Sequence, residues 1–316
     1  MRLGFDACGI AEACALPDDA AYLRHWLDAG YNAEMGYMAN YFEKRTDVCQ
    51  LFEGAKSVIV VLLGYYPARL QPKDAPQVAK YAYGTDYHFV IKEKLRALQQ
   101  FIDQRAEQRC QICVDSAPIL ERRWAQRAGL GWIGKSGLLV NPTFGSYTLI
   151  GEIITTLPLT YGTPMESHCG RCTRCLEACP TGALVAEHTL DARRCISYIT
   201  IEQRAELTPE QRQMCGNRIF GCDACLDACP WNKHPKPHHT EEFTPSEDFF
   251  TLDWSSLTNA QFRHIFKHSP LQRAGFKKIS NFKFQISDFK LGFRNQLQLI
   301  KTDVACRVPT NQKPEI

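Results

Sequence analysis

The chain has 316 residues, is 45% hydrophobic and carries a formal net charge of +3, a balance that allows a sizeable buried core and excludes a disordered or uniformly polycationic chain. No apolar run reaches the ~18 residues that span a bilayer, and the opening MRLGFDACGI lacks the apolar core of a signal peptide, so a cytoplasmic protein with no membrane partner is expected. Fifteen cysteines in such a chain point to metal ligands rather than disulfides.

A helix is expected over 18–30, capped by Asp18 or Asp19, with Leu23, Trp26 and Leu27 on one face and Gly30 as its stop. SVIVVLLGYY over 57–66 has the length and β-branching of a buried strand. Ile91, Leu95, Leu98 and Ile102 recur at helical spacing and predict a helix over 88–108. A short strand over 111–114 runs into Asp115-Ser116-Ala117-Pro118, followed by a helix over 119–128 and a glycine-rich turn over 129–135. YTLIGEIITTLPL over 147–159 reads as a second long strand. The mixture predicts an α+β protein: an α/β domain over 1–163, a cysteine module over 164–236 and a basic, mostly helical tail over 237–316. HPKPHH at 234–239 reads as a linker, and the tail's helices are expected from about Phe249.

The cysteine module contains one pattern twice. Cys169, Cys172, Cys175 and Cys179, followed by Pro180, have the spacing of the bacterial ferredoxin run, in which three thiolates wrap one cubane and the fourth serves the other. Cys222, Cys225 and Cys229 with Pro230 repeat it, but Ile219 stands where the first cysteine would fall. The crossing rule gives one cluster Cys169, Cys172, Cys175 and Cys229. The other takes Cys179, Cys222 and Cys225 and needs a fourth thiolate, from Cys195 or Cys215. A zinc ribbon, the alternative, needs neither the third cysteine nor the trailing Cys-Pro. Cys8, Cys14, Cys49, Cys110, Cys113 and Cys306 have no such spacing and read as small buried apolar residues.

Two such clusters move single electrons, and about seventy residues suffice to hold them, so the first domain should contain what accepts them. Asp115 is its acid candidate, at the end of a strand and before a Pro-containing turn, where site residues are often placed. Its structural alternative is the cap of the following helix. Over 259–301 nine Lys/Arg face a single acid, Asp288, interleaved with seven phenylalanines from Phe262 to Phe293. Such a stretch can bind phosphates and stack on bases, or be an amphipathic helical surface with its phenylalanines in the core.

The blocks VDSAPILER, AGLGWIGK, LVNP, the first cysteine run with its following TGA, RRCISYITIE and GCDACLDACPWNK together resemble the epoxyqueuosine reductase family over roughly residues 3–278. The resemblance implies a nitroreductase-like domain that holds cobalamin base-off and a ferredoxin-like module with two 4Fe–4S clusters. It implies reduction of the epoxide of epoxyqueuosine at the wobble position of tRNAs with a GUN anticodon, the last step of queuosine synthesis. It also implies a monomer fed by a single-electron donor such as a flavodoxin or ferredoxin. It selects Cys195 over Cys215 and makes Asp115 the proton donor, kept protonated by the apolar corrinoid face. As cobalamin contacts it implies Arg45, Tyr87, His88, Asp115, Trp132, Gly134, Lys135, Asn141 and Ser197. The D-x-H-x-x-G signature of histidine-ligated base-off binding is absent, since Asp86-Tyr87-His88 is followed by Ile91 where Gly is needed. The chain departs from the family's long form in stopping before a helical-repeat domain and in its tail after LQRAGFKK. Two other readings are a small-molecule reductive dehalogenase-like enzyme, against which the basic stretch counts, and a non-catalytic electron carrier or RNA-binding protein with structural clusters, which leaves the VDSAP block without a purpose.

Overall fold

The computed structural model describes residues 3–282. Its centre is a four-stranded antiparallel sheet in the order Ala7–Glu12, Ser57–Gly64, Thr148–Thr155, Cys110–Cys113. Every residue of Ser57–Gly64 is buried, because helices cover both faces of the sheet. Val58, Val60 and Leu62 join Trp124 and Ala125 of the helix Glu121–Arg127 in one apolar cluster. Ile59, Val61 and Leu63 join Val90, Ile91 and Leu95 of the helix Tyr87–Asp103 in another. This is the period-2 alternation of a strand read by two different partners. Gly151 on Thr148–Thr155 is required by the second packing, since a Cβ there would lie 2.5 Å from Ile91 Cγ2.

The expected elements are present with shifted ends. The first helix is Pro17–Asp28, with Pro17 rather than an aspartate opening it; Asp18 and Asp19 lie inside its first turn, and the N-cap is Leu16. Asp19 accepts instead from Arg123 Nε at 2.7 Å, tying this helix to Glu121–Arg127. The helix expected to Gln108 ends at Asp103, and the long strands end at Gly64 and Thr155. The glycine-rich turn leads into a small hairpin of Trp132–Ile133 with Leu139–Val140.

The doubled cysteine run folds into two short helices, Arg174–Glu177 and Ala224–Asp227. Ile219 sits in the strand Arg218–Phe220, parallel to Gln77–Val78, and is 1% exposed. It is an apolar member of a third cluster that also draws in Val78, Tyr83, Ile196, Phe249, Trp254, Phe262, Phe266 and Phe282. The phenylalanines of the basic stretch that fall within the described residues therefore fill a core rather than offer stacking faces; Phe284, Phe289 and Phe293 lie outside those residues. The 234–239 segment is tied down: His238 N–H donates to the Tyr66 carbonyl at 2.8 Å, and His239 Nε2 lies 3.2 Å from the Gly4 carbonyl. The unspaced cysteines are not uniformly buried. Cys8 and Cys49 are exposed, Cys14 and Cys110 partly exposed, and Cys113 alone of those described is buried, because Cys8 and Cys110 lie on edge strands of the sheet, Cys14 in the connection after Ala7–Glu12 and Cys49 on a short surface helix; Cys306 lies outside the described residues. Among the described residues no helix is long and apolar enough to cross a membrane.

Candidate active site

Asp115 follows the strand Cys110–Cys113 by two residues and adopts a left-handed backbone, φ 53°. It does not cap the next helix, which starts at Glu121 with Leu120 as N-cap. Its side chain turns to His88, in the first turn of Tyr87–Asp103. His88 Nε2 is 3.0 Å from Asp115 Oδ2, and its Nδ1 is 2.6 Å from Asp86 Oδ1. Asp86 is that helix's N-cap and also accepts from the His88 N–H at 3.0 Å, so cap and ring orientation are set by one carboxylate. Tyr87 stacks on the His88 ring at 4.2 Å.

This geometry inverts the expected protonation. Burial pushes the Asp115 carboxyl up, but the His88 hydrogen bond and charge, aided by Arg273 and Arg122, outweigh it and hold the group below the ordinary carboxylate range. Burial works against a charged His88, but its hydrogen bonds to Asp115 and Asp86 and their charges lift it from 6.5 to about 9. The balance between the two groups favours the proton on the imidazole and the ionised form of Asp115. The expectation of a protonated Asp115 considered an apolar face and left out an imidazole 27 residues away in sequence.

Sequence reasoning also missed several groups around Asp115. Arg273, from the tail, places Nη1 3.8 Å from Asp115 Oδ2 and Nη2 3.4 Å from Glu202 Oε1. Glu121 Oε1 accepts the Asp115 backbone N–H at 2.5 Å. Glu152, on Thr148–Thr155, is fully buried, and neither carboxyl oxygen has a hydrogen-bond partner among the described residues. Burial, then the charges of Glu121 and Asp115, push Glu152 well above the carboxylate range. Glu121 stood in the VDSAPILER block and Arg273 in LQRAGFKK, so the blocks were legible but the meeting of these groups was not.

The remaining expected contacts separate into groups. Arg45 joins the Asp115 neighbourhood: its Nη2 donates to the Tyr37 carbonyl at 3.1 Å, while its buried Nε has no partner among the described residues. Trp132 is fully buried, edge-on to Trp231 at 4.9 Å and His168 at 5.0 Å, and its Nε1 likewise lacks an acceptor. A Cβ at Gly134 would lie 2.9 Å from Val140 Cγ2 and 3.6 Å from Cys169 Sγ, so this backbone abuts the first cysteine run. Lys135 Nζ pairs with Glu187 Oε1 at 2.7 Å. Asn141 is engaged in the fold, donating to the Leu130 carbonyl at 2.7 Å and accepting from Thr143 and Phe144 N–H groups. Ser197 is partly buried on the helix Ile196–Ile201, whose N-cap is Cys195.

The module's thiols fall into two electrostatic neighbourhoods. Cys229 feels Cys169 and Cys172, and Cys175 feels Cys169 and Cys229. Cys225 feels Cys222, Cys195 and Cys179. Cys215 is a neighbour of Cys222 and Cys195, but it is fully buried in the apolar cluster that contains Ile219. Cys179 Sγ accepts the Ala183 N–H at 3.2 Å, the kind of bond that favours a thiolate. Among the described residues no three His, Cys, Asp or Glu close on a single metal.

The chain matches known proteins on both halves of this arrangement. Residues 168–232 match the family model of a 4Fe-4S double cluster binding domain, which favours iron–sulfur over the zinc ribbon, and residues 45–116 match the model for epoxyqueuosine reductase QueG. An epoxyqueuosine reductase from Cyclobacterium marinum is 44% identical over 288 residues, covering 89% of this chain and 93% of its own. An epoxyqueuosine reductase crystallised with a tRNA-Tyr epoxyqueuosine-modified stem loop superposes with a TM-score of 0.81 at 33% identity, over 90% of this chain and 78% of its own. The Bacillus subtilis enzyme, solved with its catalytic loop swung out of the active site, gives 0.79 at 32% identity over the same shares, 90% and 78%.

Proposed function

The chain belongs to the epoxyqueuosine reductase family, and from that premise we propose that it reduces epoxyqueuosine to queuosine at the wobble position of tRNAs with a GUN anticodon. It is an oxidoreductase with a double 4Fe–4S module. The observation that carries the reading is the Asp115–His88 pair, a charged proton store set in the same chain as an electron-carrying module.

The epoxide oxygen leaves as water, so the reaction takes up two electrons and two protons. Bound cobalamin, fed singly through the clusters by a flavodoxin or ferredoxin, supplies the electrons at the substrate. The residues fit such a group: Arg45 Nε and Trp132 Nε1 are buried donors with no protein acceptor among those described, and a corrinoid is rimmed with amide acceptors. Gly134 lets this backbone lie against Val140 and Cys169, where a Cβ would come within 2.9 Å of Val140 Cγ2. Arg45, Tyr87, His88, Asp115, Trp132, Gly134, Lys135, Asn141 and Ser197 make up the proposed contact set, with Asn141 acting through the turn it organises. One cluster is held by Cys169, Cys172, Cys175 and Cys229, and the other by Cys179, Cys195, Cys222 and Cys225. The protein works as a cytoplasmic monomer.

Asp115 is the group that meets the epoxide oxygen. His88 Nε2 holds the proton against Asp115 Oδ2, and Asp86 fixes the ring through Nδ1. As negative charge develops on the departing oxygen, a proton moves from the imidazolium through the carboxyl to that oxygen, and after His88 is reprotonated from solvent the same relay delivers the second proton, so that the oxygen leaves as water. Arg273 steadies the carboxylate from the open side. The direct test is turnover of an epoxyqueuosine-modified anticodon stem loop by anaerobically reconstituted protein; conversion to queuosine supports the reading and its absence sinks it.

A pH dependence follows. His88 is raised in the folded protein, so its proton, and the stability its pairs contribute, are present in full below the ordinary histidine value of ~6.5. Both are lost as pH rises through about 9. The pH–rate profile should therefore fall on the basic side near that value, and His88→Gln should remove this limb. A wild-type rate unchanged to well above that pH would contradict the assignment.

A further inference from the structure

The direction of the Asp115 carboxyl is set by a short, unusual turn. Asp115 is non-glycine with φ 53°, and the Ser116 N–H turns straight back to the Val114 carbonyl at 2.5 Å. Only a few per cent of non-glycine residues adopt this conformation, so neighbouring groups must hold it. The Asp115 backbone N–H is bonded by one side chain, Glu121, through Oε1 at 2.5 Å. Glu121 is a firm anchor, because it opens a helix whose Trp124 and Ala125 are packed against the sheet at 1% and 0% exposure.

We propose that Glu121 is a positioning residue for Asp115: its carboxylate clamps the Asp115 backbone N–H and so holds the left-handed turn that aims the Asp115 carboxyl at His88. The inference rests on the proposed role of Asp115 as the group that meets the substrate. A carboxylate is the stronger acceptor for this N–H, and protonation weakens the clamp. The charged and titratable groups that face Glu121 are Asp115, Arg122, His88, Arg45, Tyr87, Cys113 and Glu152. Burial and the Asp115 charge push Glu121 up, against its bond from the Asp115 N–H and the charges of Arg122 and His88. Glu152, fully buried, is itself pushed up by burial and by the charges of Glu121 and Asp115. The clamp accordingly loosens on the acid side, opposite in sense to the His88 limb.

The test compares Glu121→Ala and Glu121→Gln in the reconstituted enzyme, with Asp115→Asn as control, on the modified stem loop. Glu121→Ala is expected to lower kcat about tenfold to a hundredfold, as for a misplaced catalytic group, with KM and the cluster spectrum unchanged. Glu121→Gln keeps an acceptor oxygen without the titration. It should keep a part of kcat between those of Glu121→Ala and the wild type, close to what the wild type shows on the acid side, and lose the acid limb of the pH profile. Wild-type kcat in Glu121→Ala would overturn the inference. So would equal loss in both variants together with a lowered Tm or altered cluster spectrum, which would mark Glu121 as merely structural. The control separates the premises: an inactive Asp115→Asn beside an active Glu121→Ala defeats only the clamp, whereas an active Asp115→Asn defeats the role of Asp115.

Discussion

Asp115→Asn is expected to lower turnover about 10²–10⁴-fold, the usual contribution of a positioned acid–base group, while both clusters and corrinoid binding persist. Asparagine is the informative replacement because of the backbone. At φ 53° alanine would add a conformational cost of about 1–2 kcal/mol of its own, whereas asparagine is among the residues that tolerate this region. The amide keeps the shape and can still contact the His88 ring, but it cannot pass on a proton. His88 would keep its 2.6 Å contact to Asp86 and lose its second carboxylate, so it should titrate lower than in the wild type. The basic limb of any residual activity should shift down accordingly. The readouts are single-turnover kinetics on the modified stem loop and the absorption spectrum of the loaded protein. Undiminished turnover would mean that the proton reaches the epoxide oxygen by a route that avoids Asp115.

Cys195→Ser is expected to reduce the cluster content from two cubanes to one and to abolish turnover, whereas Cys215→Ser should leave both intact. Cys195 lies in the neighbourhood of Cys179, Cys222 and Cys225. Cys215 is sealed among apolar side chains at 0% exposure, and its replacement places a hydroxyl in that core, at a cost to stability of about 1–3 kcal/mol rather than to iron content. The Ile219→Cys, Cys195→Ser double variant should not recover the second cluster, even though it restores the ferredoxin spacing, because Ile219 is a buried member of that same core. Iron and sulfide counts after reconstitution, with electron paramagnetic resonance of the reduced protein, decide the matter. Two clusters in Cys195→Ser and one in Cys215→Ser would reverse the ligand assignment.

The contrast between these two cysteines marks the division between sequence and structure in this protein. Three thiolates at x2 spacings surround one cubane within a single loop, so Cys169, Cys172 and Cys175 are readable from the chain alone. The buried strand Ser57–Gly64 is readable for a similar reason, since a run of β-branched residues reports burial on both faces. Its edge partner Ala7–Glu12 was not recognised, because ACGIAE is short, small-residued and half-exposed, and becomes a strand only by pairing with Ser57–Gly64 over its whole length. The VDSAP aspartate was visible as a candidate, but its charge state was not. That state follows from His88, Arg273 and Arg122, which approach it from two helices and the tail, and electrostatic shifts act through space at a few ångströms whatever the separation in sequence. The basic tail shows the same limit. Composition allowed its phenylalanines to be either a core or a stacking surface, and for Phe262, Phe266 and Phe282, among the described residues, clustering with Ile196 and Ile219 decided for the core. Local spacing thus determined which chemistry this chain carries, and the tertiary fold decided which group holds the proton, because that depends on neighbours that only folding brings together.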